Sequence, residues 1–189
     1  MLNLLRPALT LVVAMTAFTG LIYPLAVYGI AQAVMPGRAN GSLIERNGIV
    51  VGSVLIGQNF MDHRYFWSRP SATIPQPYNA AASSGSNLGT TSVKLKDRVR
   101  ADVAHLIQTG IAQPVSADAV TTSGSGLDPH VSPAFAESQV ARVARARGLQ
   151  PAAVAALVAQ QTENPTFGII GEARVNVLEL NLALDALKM

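Results

Sequence analysis

The stretch PALTLVVAMTAFTGLIYPLAVYGIAQAVMPG, residues 7–37, carries no charged side chain and is bracketed by Arg6 and Arg38. A helix over residues 8–34 is about 40 Å long at ~1.5 Å per residue, against a hydrocarbon core of about 30 Å. It can therefore cross a bilayer with some tilt. A secretory signal also opens with positive charge and ends in small residues, and Ala31-Gln32-Ala33 fits such a cleavage site. A signal's apolar region is only about 7–15 residues, so the length favours a retained anchor.

Within the span, Pro24 removes one helix hydrogen bond and invites a kink. Thr16/Gly20 and Gly29/Ala33 have the small-xxx-small spacing that lets a second helix approach. Membrane helices are rich in small residues in any case. Charge does not orient the span, because Arg6 precedes it while Arg38 and Arg46 follow it.

The expected organisation is an anchor, residues 1–37, and one extramembrane domain, residues 38–189. The 189-residue chain is 49% hydrophobic, 13% charged and carries a net charge of +3, so no basic surface argues for nucleic acid. It contains no cysteine, which excludes disulfides and thiolate chemistry.

Residues 42–45 and 49–56 predict a β-hairpin turning at Asn47-Gly48. The second strand is so apolar that it is expected to be buried on both faces. Residues 60–92 are irregular, interrupted by Pro70, Pro75 and Pro77, with Phe60, Tyr65, Phe66, Trp67 and Tyr78 around them. These aromatics, Trp67 among them, suit either a partner contact or the domain's own core. Leu95, Val99, Val103, Leu106 and Ile107 then mark a helix over 92–109 with Gly110 as its stop.

The loop Ser123-Gly124-Ser125-Gly126-Leu127-Asp128-Pro129-His130 is the most chemically suggestive segment. Asp128 and His130 can orient a proton or contribute to a metal site, and the glycines can expose backbone N–H groups to an anion. Alternatively Ser123 and Asp128 hydrogen-bond the loop's own backbone and fix its shape, as a structural element. One Asp and one His are at most half a metal site.

Three helices follow. One begins at Ser132-Pro133 and ends at Gly148, with Arg142, Arg145 and Arg147 read as solvent-facing. The next runs from Pro151 to Asn164-Pro165, and the last is capped by Asn176 and carries Leu180, Leu184 and Leu187. Hairpin first and helices later define a mixed α/β (α+β) domain behind one transmembrane helix. There is no G-x-x-x-x-G-K-[ST] loop, no Asp-Lys-Thr-Gly segment and no G-x-S-x-G elbow, which points away from a self-sufficient ATPase or hydrolase.

Several words resemble the KdpC family, the C subunit of the Kdp potassium-transporting P-type ATPase. They are Gly20-Leu21-Ile22-Tyr23-Pro24-Leu25, Ala39-Asn40-Gly41-Ser42-Leu43-Ile44, Gly52-Ser53-Val54-Leu55-Ile56-Gly57-Gln58, Arg69-Pro70-Ser71-Ala72 and Tyr78-Asn79. Gly85-Ser86-Asn87-Leu88-Gly89, the segment from Ser123 to Pro133, and Arg174-Val175-Asn176-Val177-Leu178 complete the set. Ser84, Thr90 and Ala173 depart from the family pattern at turns.

The resemblance implies an inner-membrane complex in which a channel-like subunit binds potassium and a P-type ATPase subunit hydrolyses ATP. The C subunit, not an enzyme itself, is implied to be a catalytic chaperone that raises the ATP affinity of the ATPase subunit, with a cytoplasmic N-terminus, one span in the lipid and a periplasmic domain. ATP and potassium are then handled by the complex, not by this chain alone. A periplasmic domain cannot touch cytoplasmic ATP, so its effect has to run through conformational coupling. The competing reading is a membrane-anchored or secreted enzyme or binding domain built on Asp128 and His130.

Overall fold

The computed structural model describes residues 2–187; the expected outer limits, residues 1 and 188–189, lie outside the described residues. The chain divides into two compact units, Met1–Val50 and Val51–Met189. The uncharged run ends at Gly37, whereas the spatial division falls inside the second strand of the hairpin.

In the first unit, α1 (Leu2–Ala17), a π-helical turn (Phe18–Ile22) and α2 (Tyr23–Val34) follow one another without a break. The segment Leu4–Val34 is long and apolar enough to cross a membrane, and none of it is buried. The wide turn has a cause in the sequence. Pro24 has no N–H, and its ring crowds the carbonyl one turn back. Just before it, Tyr23 N–H reaches Phe18 O, five residues back, which opens the spiral. The hydroxyls of Thr10 and Thr19 donate to Arg6 O (2.9 Å) and Met15 O (2.7 Å), so neither faces hydrocarbon unbonded.

A single turn, α3 (Pro36–Ala39), leads to β1 (Leu43–Arg46) and β2 (Ile49–Ser53), which pair as a two-stranded ribbon. Asn47 and Gly48 take φ values of 53° and 75°, as the turn chemistry predicts. The expected burial of the second strand is wrong: Ile49 is 68% exposed and Leu55 60%. An apolar run implies a covered strand only if the same chain supplies a layer to cover it.

The second unit contains α4 (Val93–Gln108), β3 (His130–Val131), α5 (Pro133–Arg147), α6 (Pro151–Gln160), β4 (Thr162–Glu163), β5 (Arg174–Asn176) and α7 (Val177–Ala186). The three short strands form an antiparallel sheet ordered β3-β5-β4, with His130 opposite Asn176 and Thr162 opposite Val175. This sheet is not anticipated from the sequence, because two- and three-residue strands show no period. Nor does α6 run to Asn164 as expected; it stops at Gln160 because Thr162 and Glu163 pair with β5.

Helix ends are set by local chemistry. Ser132 Oγ accepts from Phe135 N–H (3.1 Å), Pro133 follows it, and Gly148 closes α5 at φ 67°. Ser92 caps α4, and Asn176 Oδ1 caps α7 through Leu178 and Glu179 N–H. Phe135, Val143, Val154, Val158, Val175, Leu180 and Leu184 form the core, each fully or almost fully buried. Each such side chain stabilises the fold by about 1.5–3 kcal/mol relative to exposure.

The irregular segment after β2 joins this core through Phe66, which is completely buried. A buried irregular backbone needs partners for its amides. Asn181 supplies them for Phe66, accepting its N–H (2.8 Å) and donating to its carbonyl (3.0 Å). Gln139 does the same for Trp67, at 2.7 and 3.1 Å. Two side-chain amides thus stand in for a missing strand.

Arg142 corrects a second expectation. It is buried rather than solvent-facing, and donates to His63 O (2.8 Å), Tyr65 O (3.1 Å) and Gln139 Oε1 (2.6 Å). Arg147 likewise turns inward, to Arg64 O and to Asp185 at 2.6 Å. The long apolar stems let both guanidinium groups follow the surface of the irregular segment.

Candidate functional site

The glycine-rich loop lies at the centre of a hydrogen-bonded cluster of four segments. Ser123 Oγ accepts Gly126 N–H at 2.9 Å, and Ser125 Oγ accepts Leu127 N–H at 3.2 Å, so the loop holds its own turns. Outward, Gly126 O accepts from Ser71 Oγ (2.7 Å), Ser125 O from Ser84 N–H (2.9 Å), and Leu127 O from Gly57 N–H (2.8 Å).

The glycines are required by closeness. A Cβ on Gly126 would lie 2.6 Å from Ser84 O, at a backbone φ of 69°. A Cβ on Gly57 would lie 2.3 Å from the Tyr78 ring, and one on Gly85 3.0 Å from Gly124 O.

Asp128 occupies both its oxygens. Oδ2 accepts from Arg69 Nη1 at 2.7 Å, while Oδ1 accepts from His130 N–H at 3.0 Å and lies 3.3 Å from its Nδ1. Burial alone would raise its pKa, but the hydrogen bonds from His130 and Arg69 outweigh it and hold the carboxyl at about 2. A carboxylate this acidic and this fully engaged is a poor base. Beside it, Tyr78 donates its hydroxyl to Arg69 O, and burial pushes its pKa up to about 12. Arg69 also donates Nε to Thr121 O (3.2 Å).

Two concavities flank Arg69. One, of about 410 Å³, is lined by Asp118, Asp128, His130, Glu172 and Arg174. The other, of about 380 Å³, is more apolar and is lined by Phe60, His63, Trp67, Tyr78, Asp102 and His105. Among the described residues no group of three His, Cys, Asp or Glu side chains is placed to hold a metal ion.

Trp67 lies in this second wall. Arg142 sits 3.8 Å above its ring, the His105 ring stacks at 5.9 Å, and its Nε1 donates to Asp62 O at 3.1 Å. The four small residues of the span, Thr16, Gly20, Gly29 and Ala33, are all exposed, and a Cβ on Gly20 or Gly29 would meet nothing within 4 Å. Gly20 lies in the π-helical turn and Gly29 in α2, so the two pairs belong to separate stretches of the span.

Ser123, Gly124, Gly126, Asp128 and His130, singled out from the sequence, are brought together in the structure. Arg69, Ser71, Tyr78, Gln139 and Arg142 are not anticipated. Helical spacing carried a signal for the last, which follows Gln139 by three residues and Phe135 by seven on one face. Nothing local marks Arg69 as the partner of a residue 59 positions away.

Among the described residues, one apolar helix long enough to cross a bilayer precedes one small α+β domain with an internally bonded loop cluster, an arrangement that fits a membrane-anchored protein. The chain belongs to the KdpC family: the model described as "K+-transporting ATPase, c chain" matches residues 5–186. It is 59% identical to the Potassium-transporting ATPase KdpC subunit of Polaromonas naphthalenivorans, covering 100% of this chain and 97% of that one. It is 57% identical to the protein of that name from Burkholderia orbicola, covering 98% and 97% of the two chains. For the one from Methylorubrum populi the figures are 56%, 99% and 98%.

Proposed function

We propose that this chain is the accessory subunit of an ATP-driven potassium uptake complex of a bacterial inner membrane. Its partners are a channel-like potassium-binding subunit and a P-type ATPase subunit, and its span is set in lipid beside them. The N-terminus is cytoplasmic and the α+β domain periplasmic. The subunit acts as a catalytic chaperone: it assists assembly and raises the ATP affinity of the ATPase subunit. It binds neither ATP nor potassium by itself, and its influence on the nucleotide site is a coupling free energy transmitted through the span and the partner subunits.

The observation that carries this reading is the match over residues 5–186, which takes in the apolar helix and the domain together. The internally satisfied state of Asp128 supports a shape-holding role for the Ser123–His130 loop, against an enzyme built on Asp128 and His130.

Expression of the tagged chain with the other subunits tests the reading. The expected result is stoichiometric co-purification of a channel-like and an ATPase chain, with potassium-stimulated ATP hydrolysis that disappears or weakens when this chain is omitted. Purification of the tagged chain alone, or full activity without it, would overturn the reading.

A further inference from the structure

The loop between β4 and β5 is held by its own backbone hydrogen bonds, apolar and exposed. Thr166 and Ile170 form an antiparallel bridge, with Thr166 N–H to Ile170 O at 2.9 Å and the return bond at 3.0 Å. Gly168 N–H closes onto Pro165 O at 2.9 Å. The turn holds Phe167 at φ 56°, a conformation an aromatic L-residue rarely takes. Yet Phe167 is 89% exposed, Ile169 83% and Ile170 61%. A backbone this well bonded presents three large apolar side chains that gain almost nothing from their own domain.

We propose that Phe167, Ile169 and Ile170 form an apolar knob that seats in a cleft of another protein subunit, a cleft with apolar walls and a basic rim. The charge around the loop selects that occupant. Residues 162–173 contain Glu163 and Glu172 and no Lys or Arg. The next cation along the chain, Arg174, is bound to Glu163 at 2.8 Å. Peripheral membrane insertion pairs apolar side chains with basic ones, because the lipid surface is anionic. With Arg174 held by Glu163, residues 162–174 offer an anionic bilayer no unpaired cation, and the remaining carboxylate, Glu172, suits a base-rimmed protein cleft. An exposed, contiguous apolar cluster of this kind marks an interaction site, and a pre-bonded turn loses little entropy on docking. The inference rests on the proposed membership of a multisubunit complex.

The absence of native cysteine permits a direct test with Ile169→Cys in the full chain. Its labelling rate with a membrane-permeant maleimide is compared for the chain alone in lipid vesicles and for the assembled complex in the same lipid. The expected result is fast labelling in vesicles and labelling at least about tenfold slower in the complex, since burial denies the reagent access. Ala112→Cys, on an exposed loop, reports equal rates in both. Slow labelling of Ile169→Cys in vesicles alone would assign the knob to lipid or to a second copy of the chain, and overturn the proposal. Fast labelling in the complex would overturn it too. A second variant, Phe167→Ser with Ile169→Ser, is expected to leave the free chain's melting temperature unchanged and to reduce co-purification. If the wild-type chain itself fails to co-purify, the complex reading fails and this inference falls with it. If the wild type assembles while Ile169→Cys stays reactive, this inference alone fails.

Discussion

Asp128 joins two segments by charge, and its acid–base behaviour follows from its partners. Its pKa is held at about 2, below the ordinary value of 3.8. A carboxyl depressed in the folded state contributes stability above its unfolded pKa and loses it as the pH falls through the folded value. The window therefore runs from roughly pH 4 down to pH 2 and is worth on the order of 2 kcal/mol. Thermal melting of the full chain in detergent at pH 7 and pH 2.5 checks this. The wild type should lose more stability over that interval than Asp128→Asn, which lacks the titrating group.

Arg142 shows the other face of buried charge. Burial pushes its pKa down to about 10, so it stays a cation at neutral pH, and its buried Nε has no hydrogen-bond partner among the described residues. That cost is offset by the three hydrogen bonds it donates and by the Trp67 ring. Arg142→Met keeps the stem but leaves His63 O, Tyr65 O and Gln139 Oε1 short of a donor. A loss of about 2–4 kcal/mol is expected from unsatisfied buried acceptors, read as a lower melting temperature of the full chain.

At the level of elements, what was legible in the sequence is what is encoded locally. The apolar run 7–37, the Asn47-Gly48 turn, the Ser132 and Asn176 caps and the Gly148 stop are each set by a few adjacent residues, and each is found. The loop Ser123–His130 was legible as a unit for the same reason. What escaped depends on contacts between distant residues. The β3-β5-β4 sheet needs strands from three places, and the layer around Phe66 is held by Gln139 and Asn181. The exposed β2 is the converse case, a local pattern of burial with no layer to satisfy it. A Cβ at Gly20 meets no atom within 4 Å among the described residues. Gly20→Leu should therefore leave the domain's melting temperature unchanged while splaying the span from a neighbouring helix. Weaker co-purification at constant domain stability is the expected outcome, checked by pull-down alongside melting.

For the molecule as a whole, the two units call for two kinds of contact. A helix with no buried residue in its span suits lipid and other helices, with exposed small residues at Thr16/Gly20 and Gly29/Ala33. The domain has a packed apolar interior and an uncovered apolar loop at Phe167–Ile170. In the proposed role the chain acts through its partners rather than as a solitary catalyst, and the proposed effect on ATP follows the same route. The direct measurement is an ATP titration of potassium-stimulated hydrolysis in complexes assembled with and without this chain. Omission should raise the KM for ATP by about tenfold, a coupling of about 1.4 kcal/mol, in whatever complex still assembles. An identical KM and maximal rate in both preparations would contradict the coupling.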